Sequence, residues 1–141
     1  MSIWKKKSSL ARLNKISENT VIALLGIEYI QIGDDFIKAT MPVDHRTHQP
    51  YGFLHGGASV VLAETLGSVA GNLAVGMDKM CVGLEVNANH LRSERTGIVT
   101  GTAKAIRLGM TVQVWQIEIH NEKKQLVCTS RLTLAVIDSV K

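Results

Sequence analysis

Aromatic residues are scarce in this chain: two Trp, two Tyr and two Phe make up 4% of its 141 residues. That is too few for a platform on which successive nucleic-acid bases could stack, and the basic residues are spread out rather than clustered. The net charge of +4 is a mild positive field, suited to drawing in an anion. Only two cysteines occur, Cys81 and Cys128, with no Cys-x-x-Cys spacing. They read as reduced thiols in strand-like segments rather than a disulfide. No apolar run has the length and purity of a membrane span. The longest candidate, Ala58 to Val75, holds Glu64, Ser59, Thr65 and Ser68 as well as two glycines, and reads as a buried core helix. The segment Met1 to Ser9 is basic and lacks the apolar stretch of a signal peptide. The expectation is a cytoplasmic protein with neither nucleic acid nor membrane among its partners. There is no linker, repeat or low-complexity tract, and a hydrophobic share of 45% is enough for a core, so residues 1–141 read as one domain.

What is present is one long helix followed by strands. Ser9 to Ile16 and Thr20 to Leu25 suit short helices, with Gly26 as a stop. Ile27 to Ile32 and Phe36 to Met41 read as strands joined by the turn Gly33-Asp34-Asp35, and Pro42 ends the second. Val43 to Gly56 is a loop longer than usual, and long ordered loops tend to be functional. A helix from Gly57 to Val75 follows, rich in Ala, Gly and Ser so that it can lie close to a sheet. After it come Val82 to Ala88, Ile98 to Ile106, Thr111 to His120 and Gln125 to Ile137, joined by short turns, which predicts a mainly antiparallel sheet. Alternation along the first of these puts His90 on one face with Val82, Leu84, Val86 and Ala88. The plan is α+β with one helix under a curved sheet, and a sheet larger than one helix can cover implies a second subunit.

The run Gln49-Pro50-Tyr51-Gly52-Phe53-Leu54-His55-Gly56-Gly57 sets a polar loop, a histidine and a glycine pair at a helix start. Free N–H groups and partial positive charge make such a start a site for an oxygen that turns negative during a reaction. Glu64 follows about two turns later in a run nearly free of charge. Acids on helices are usually solvated, histidines usually structural, and glycine pairs often mark a turn. Here the loop and the apolar surroundings favour general-base or nucleophilic chemistry at Glu64. His45, His48 and His55 match no compact zinc spacing, and neither serine near Glu64 has a Gly-x-Ser-x-Gly context.

The element order and the motif Gln49-Pro50-x-Gly52-x-x-His55-Gly56-Gly57, then Leu62-Ala63-Glu64, resemble hotdog-fold acyl-CoA thioesterases of the phenylacetate-pathway and menaquinone type, over nearly the whole chain. Trp4-Lys5, Ala39 to Asp44, Asn87 to His90 and Gln113 to Ile117 look especially like the bacterial 1,4-dihydroxy-2-naphthoyl-CoA hydrolases. The resemblance implies a curved antiparallel sheet wrapped around one long central helix. It also implies hydrolysis of an aromatic acyl-CoA to free acid and CoA, with no cofactor and no metal. Glu64 would be the catalytic carboxylate, as nucleophile or as base on water. Gln49 would position the water or acyl group, while His55 and the Gly56 N–H polarise the carbonyl. Ser68 supplies a hydroxyl near the acid. Gly83, His90, Leu91, Arg92, Ser93 and the turn Arg107, Leu108, Gly109, Met110, Thr111, Val112 would hold the CoA arm. The resemblance implies a homo-oligomer, dimer or tetramer, with Gln49 and His55 facing Glu64 of a neighbour. Lys5-Lys6-Lys7 and Asp138 to Lys141 carry no motif. Two other readings of the same residues are a hydratase-dehydratase of enoyl or 3-hydroxyacyl thioesters, and an acyl-CoA-binding module without turnover.

Overall fold

Short hydroxyl side chains open the first two helices, because their oxygens satisfy N–H groups that a helix start leaves free. In the computed structural model, which describes residues 1–140, Ser9 accepts from the Arg12 N–H before α1 (Leu10–Ile16) and Thr20 from the Ile22 N–H before α2 (Val21–Leu24). Both residues are caps rather than first turns, so each helix is shorter than the sequence pattern suggests. Gly26, at φ +72°, ends the helical region. Lys141, at the end of the motif-free tail, lies outside the described residues.

The strands are β1 (Glu28–Ile32), β2 (Phe36–Pro42), β3 (Lys79–His90), β4 (Ile98–Leu108), β5 (Val112–His120) and β6 (Leu126–Asp138), with α3 (Gly56–Leu73) between β2 and β3. They form one antiparallel sheet in the order β1-β2-β4-β5-β6-β3. Its concave face wraps α3, whose Leu62, Ala63, Leu66 and Ala70 are fully buried together with Ile117, Ile119, Leu132 and Leu134 of the sheet. A Cβ on Gly67 or Gly71 would overlap the end of the Leu132 or Leu134 side chain, so glycine lets the helix backbone lie this close with both leucines in place. The N-terminal segment closes the far end: the Lys5 and Lys6 N–H groups donate to the Leu73 carbonyl at 2.8 and 3.1 Å, using up an acceptor that the helix C-terminus leaves free.

One strand departs from simple alternation. β3 pairs with β6 through Gly83↔Leu134 and then Glu85↔Thr133, so Leu84 is an extra residue in the ladder. A bulge of this kind reverses which parity faces the core. Cys81 and Gly83 face α3 before it, and Val86, Ala88 and His90 after it, while Val82 and Leu84 are exposed. The expected single face from Val82 to His90 is therefore corrected: it is split at the bulge.

Tyr29 is buried at 2% exposure, and this burial pushes its phenol up to about 12, with the Ser17 hydroxyl offsetting a small part. A raised pKa in the folded state means that stability is whole below the unfolded value near 10 and is lost as pH rises from about 10 to 12. Two units correspond to about 2–3 kcal/mol. Urea unfolding of Tyr29→Phe beside the parent protein at pH 8 and pH 11 is expected to show a shallower alkaline loss in the variant. Parallel losses would show that Tyr29 is not the group responsible.

Candidate active site

The loop from Val43 to His55 is ordered by its own sequence. The Asp44 carboxylate accepts from the Arg46 backbone N–H and guanidinium, which together hold its acid near 2, and the Asp44 carbonyl accepts from the Thr47 and His48 N–H groups. The buried Thr47 hydroxyl donates to the Pro42 carbonyl at 2.7 Å. A second loop, 91–97, ties this one down: the Leu54 N–H donates to the Glu94 carbonyl, His48 Nε2 donates to the Arg95 carbonyl at 2.8 Å, and the Arg95 guanidinium lies 4.1 Å from the centre of the Phe53 ring. Two candidate binding regions, the Gln49 loop and the Arg92 turn, are therefore one mechanical unit.

At the start of α3 the donors are unequally used. His55 is the N-cap residue, and its Nδ1 accepts from the Gly57 N–H at 2.7 Å. An accepting Nδ1 leaves the proton on Nε2, so the free side of the ring is a hydrogen-bond donor. The Ala58 and Ser59 N–H groups are taken by the His55 carbonyl, and among the described residues the Gly56 N–H has no acceptor. The His90 ring covers Gly56: a Cβ there would sit 2.8 Å from His90 Nε2. Gly56 and His90 line one cleft of about 350 Å3 together with Gln49, Leu91, Arg92 and Ser93. Gln49 is held by its Oε1, which accepts from the Tyr51 N–H, leaving its Nε2 to meet a ligand.

Glu64 sits elsewhere. Its carboxylate is half-buried on α3 against Gly83, where a Cβ would come within 2.8 Å of Oε2. Among the described residues it has neither a cationic partner nor a hydrogen bond. Ser68, one turn on, lines a different groove. The structure thus brings Gln49, Gly56, His90, Leu91, Arg92 and Ser93 together, with His55 beside them, and pairs Glu64 with Gly83. It does not bring Arg107, Leu108, Gly109, Met110, Thr111 or Val112 to that cleft. Their turn follows the cross-sheet row Gly83–Leu134–Gln113–Leu108, seven residues of β3 away from His90, or about 23 Å at the usual strand rise. Ser59 and Val127 also line the cleft and were missed by motif reading. Ser59 lies three residues after Gly56, so helical spacing alone would have found it.

Eight residues separate Gly56 from Glu64, about 12 Å along the helix axis. One thioester carbonyl needs its attacking oxygen and its oxyanion donor each within about 3 Å. Within one copy of the chain the Gly56 N–H and Glu64 are too far apart to act on one carbonyl. Cys81 and Cys128 offer no alternative nucleophile: both are buried, and burial pushes both thiols up.

Residues 51–128 match the model of the Thioesterase superfamily. The chain is 56% identical over 135 residues to the 1,4-dihydroxy-2-naphthoyl-CoA hydrolase of Escherichia coli K12, covering 96% of this chain and 99% of that protein. It is 50% identical over 135 residues to the proofreading thioesterase EntH of Cronobacter turicensis, covering 96% and 98%. The solved structure of thioesterase HI1161 from Haemophilus influenzae superposes with a TM-score of 0.96 at 54% identity, covering 99% of this chain and 97% of that one.

Proposed function

The chain belongs to the thioesterase superfamily, with the hotdog arrangement of a curved sheet around one helix, and from that premise we propose how it acts and on what. It is a thioester hydrolase acting on acyl-CoA. The proposed substrate is an aromatic acyl-CoA, 1,4-dihydroxy-2-naphthoyl-CoA of menaquinone biosynthesis, and the proposed place of action is the cytoplasm. The relative at 56% identity that carries this activity in its name supports the choice.

Glu64 is proposed to deliver the attack on the thioester carbon, either directly or through a water whose proton it takes. The carbonyl oxygen becomes an oxyanion held by the Gly56 N–H and His55 Nε2–H. Collapse breaks the carbon–sulfur bond, and CoA leaves as a thiol with a proton returned by Glu64 in the water route or taken from solvent in the direct one. In the direct route water then cleaves the acyl–Glu64 anhydride, and in both routes the acid is released with Glu64 restored. Gln49 orients the water or the acyl group.

A second copy of the chain is proposed to complete the site. The observation that carries this is the 12 Å separation of Gly56 and Glu64, argued above from the helix rise. The outer edge of β3 supports it, since among the described residues that edge of a 12-residue strand has no neighbour in the sheet. An antiparallel pairing of two β3 strands about a two-fold axis between Val86 and Asn87 would set Gly83 opposite the partner's His90. Glu64 packs on Gly83 and His90 on Gly56, so this pairing would carry each Glu64 to the other copy's helix start. A dimer, or a tetramer of such dimers, follows.

The test is thiol release from a panel of aromatic and aliphatic acyl-CoA esters, with sedimentation of the same protein. Fast release on aromatic esters by an oligomer is the expected result. Preference for aliphatic esters would overturn the substrate, and full activity of a monomer would overturn the shared site.

A further inference from the structure

On the solvent side of α3, beneath the N-terminal segment, runs a groove of about 400 Å3. Its floor is apolar, built from Leu13, Val69 and Leu73, and its rim carries Lys7, Ser8 and Arg12. Ser68 forms one end, a single helical turn beyond Glu64. Leu73 lies nine residues beyond Glu64, so the groove reaches from about 6 to about 14 Å past the acid along the helix.

The rim is unsatisfied. Ser8 Oγ is buried without any hydrogen-bond partner, the one side-chain oxygen or nitrogen among the described residues in that state. A buried hydroxyl without a partner is costly. Lys7 and Arg12 form no ion pair and no side-chain hydrogen bond among the described residues, whereas Lys6 beside them is committed to the Lys79 carbonyl at 2.9 Å. Two free cations and an orphaned hydroxyl thus line one apolar trough, which starts at Ser68, one helical turn beyond Glu64. Such a trough suits a flat hydrocarbon body, and its rim suits an oxygen at the far end of that body.

We propose that this groove receives the acyl group, and that Lys7, Ser8 and Arg12 select acyl groups whose far edge carries a hydroxyl or carboxylate oxygen. The proposal rests on Glu64 being the catalytic acid of the thioesterase. It assigns a role to the basic N-terminal run in which sequence reading found no motif. Arg12 supplies a planar fork for an oxygen anion, Lys7 a point charge, and Ser8 a donor that an apolar edge would leave unpaired.

The experiment compares kcat/KM for 2-naphthoyl-CoA, 6-hydroxy-2-naphthoyl-CoA and 6-carboxy-2-naphthoyl-CoA. The parent protein is expected to prefer at least one oxygenated ester by about tenfold or more, the range of a charge-assisted hydrogen bond. The two oxygenated arms tell a phenol-reading site from a carboxylate-reading one. In Lys7→Gln/Arg12→Gln the preference is expected to fall about tenfold. Arg12→Lys, which keeps the charge, recovers part of it. Lys5→Gln, outside the groove, keeps the parental ratio. A parental ratio near one, or a ratio that survives the double substitution, overturns the proposal. So does an equal fall on all three esters, which would make the cations merely structural. Absence of thiol release from all three esters by the parent protein would instead bring down the thioesterase reading beneath it.

Discussion

Glu64→Gln is expected to lower kcat for acyl-CoA hydrolysis by at least about 100-fold, with KM little changed. The amide keeps the volume of the carboxylate but neither attacks carbon nor takes a proton from water. Because Glu64 has no ion-pair or hydrogen-bond partner among the described residues, the substitution breaks no contact that holds the fold. Folding stability is therefore expected to stay within about 0.5 kcal/mol of the parent. This separates a chemical role from a structural one, since a residue needed only for packing would lose stability and activity together. Thiol release at saturating ester, beside a urea titration of both proteins, measures the two quantities. Near-parental turnover by the variant would remove Glu64 from the mechanism and return weight to a hydratase or a binding module.

The largest stability effect is expected at Trp115. It is fully buried, its Nε1 donates to Gln113 Oε1 at 2.9 Å, and its ring is stacked on Trp4 with centroids 6.2 Å apart and planes 6° from parallel. Trp115→Ala removes the largest of the fully buried side chains, opens a cavity under the N-terminal segment and strips the buried Gln113 oxygen of its donor. The expected cost is about 3–5 kcal/mol, read as the shift in urea midpoint times the slope. Trp115→Phe keeps much of the volume and loses the hydrogen bond, so it is expected to cost less, about 1–3 kcal/mol. Equal, small effects of both changes would mean that the Trp4–Trp115 stack contributes little to holding the N-terminal segment on the sheet. That segment forms one wall of the proposed acyl groove, and Trp115→Ala is also expected to blunt discrimination between acyl groups.

Local chemistry was readable where a residue's effect is local. Gly26 as a helix stop and the polar turn at Asn121 to Lys124 both act within a few residues of themselves. The arrangement at the start of α3 was legible for a similar reason. His55, Gly56 and Gly57 lie on consecutive positions of a helix start, and the N-cap geometry that uses the Gly57 N–H and frees that of Gly56 follows from the order of those residues. The β3 bulge was not legible. Val82, Leu84, Val86, Ala88 and His90 alternate without a break, and only pairing with β6 shows that Leu84 is the extra residue. Which ladder forms is settled by cross-strand partners some fifty residues away, and alternation along one strand carries no record of them.

The sequence by itself determined that a small-residue helix would lie under an antiparallel sheet, that a helix start would hold a free N–H beside a histidine, and that one acid would stand among apolar neighbours. Periodicity, capping and composition are properties of short stretches, so they survive without a partner. Only the tertiary structure decided that Glu64 lies against Gly83 while Gly56 lies under His90. It alone decided that Lys7, Ser8 and Arg12 meet Ser68 across a groove. Such placements depend on where a bulge shifts a strand and where a terminus folds back. They come from packing the whole chain at once, and no stretch of residues contains them alone.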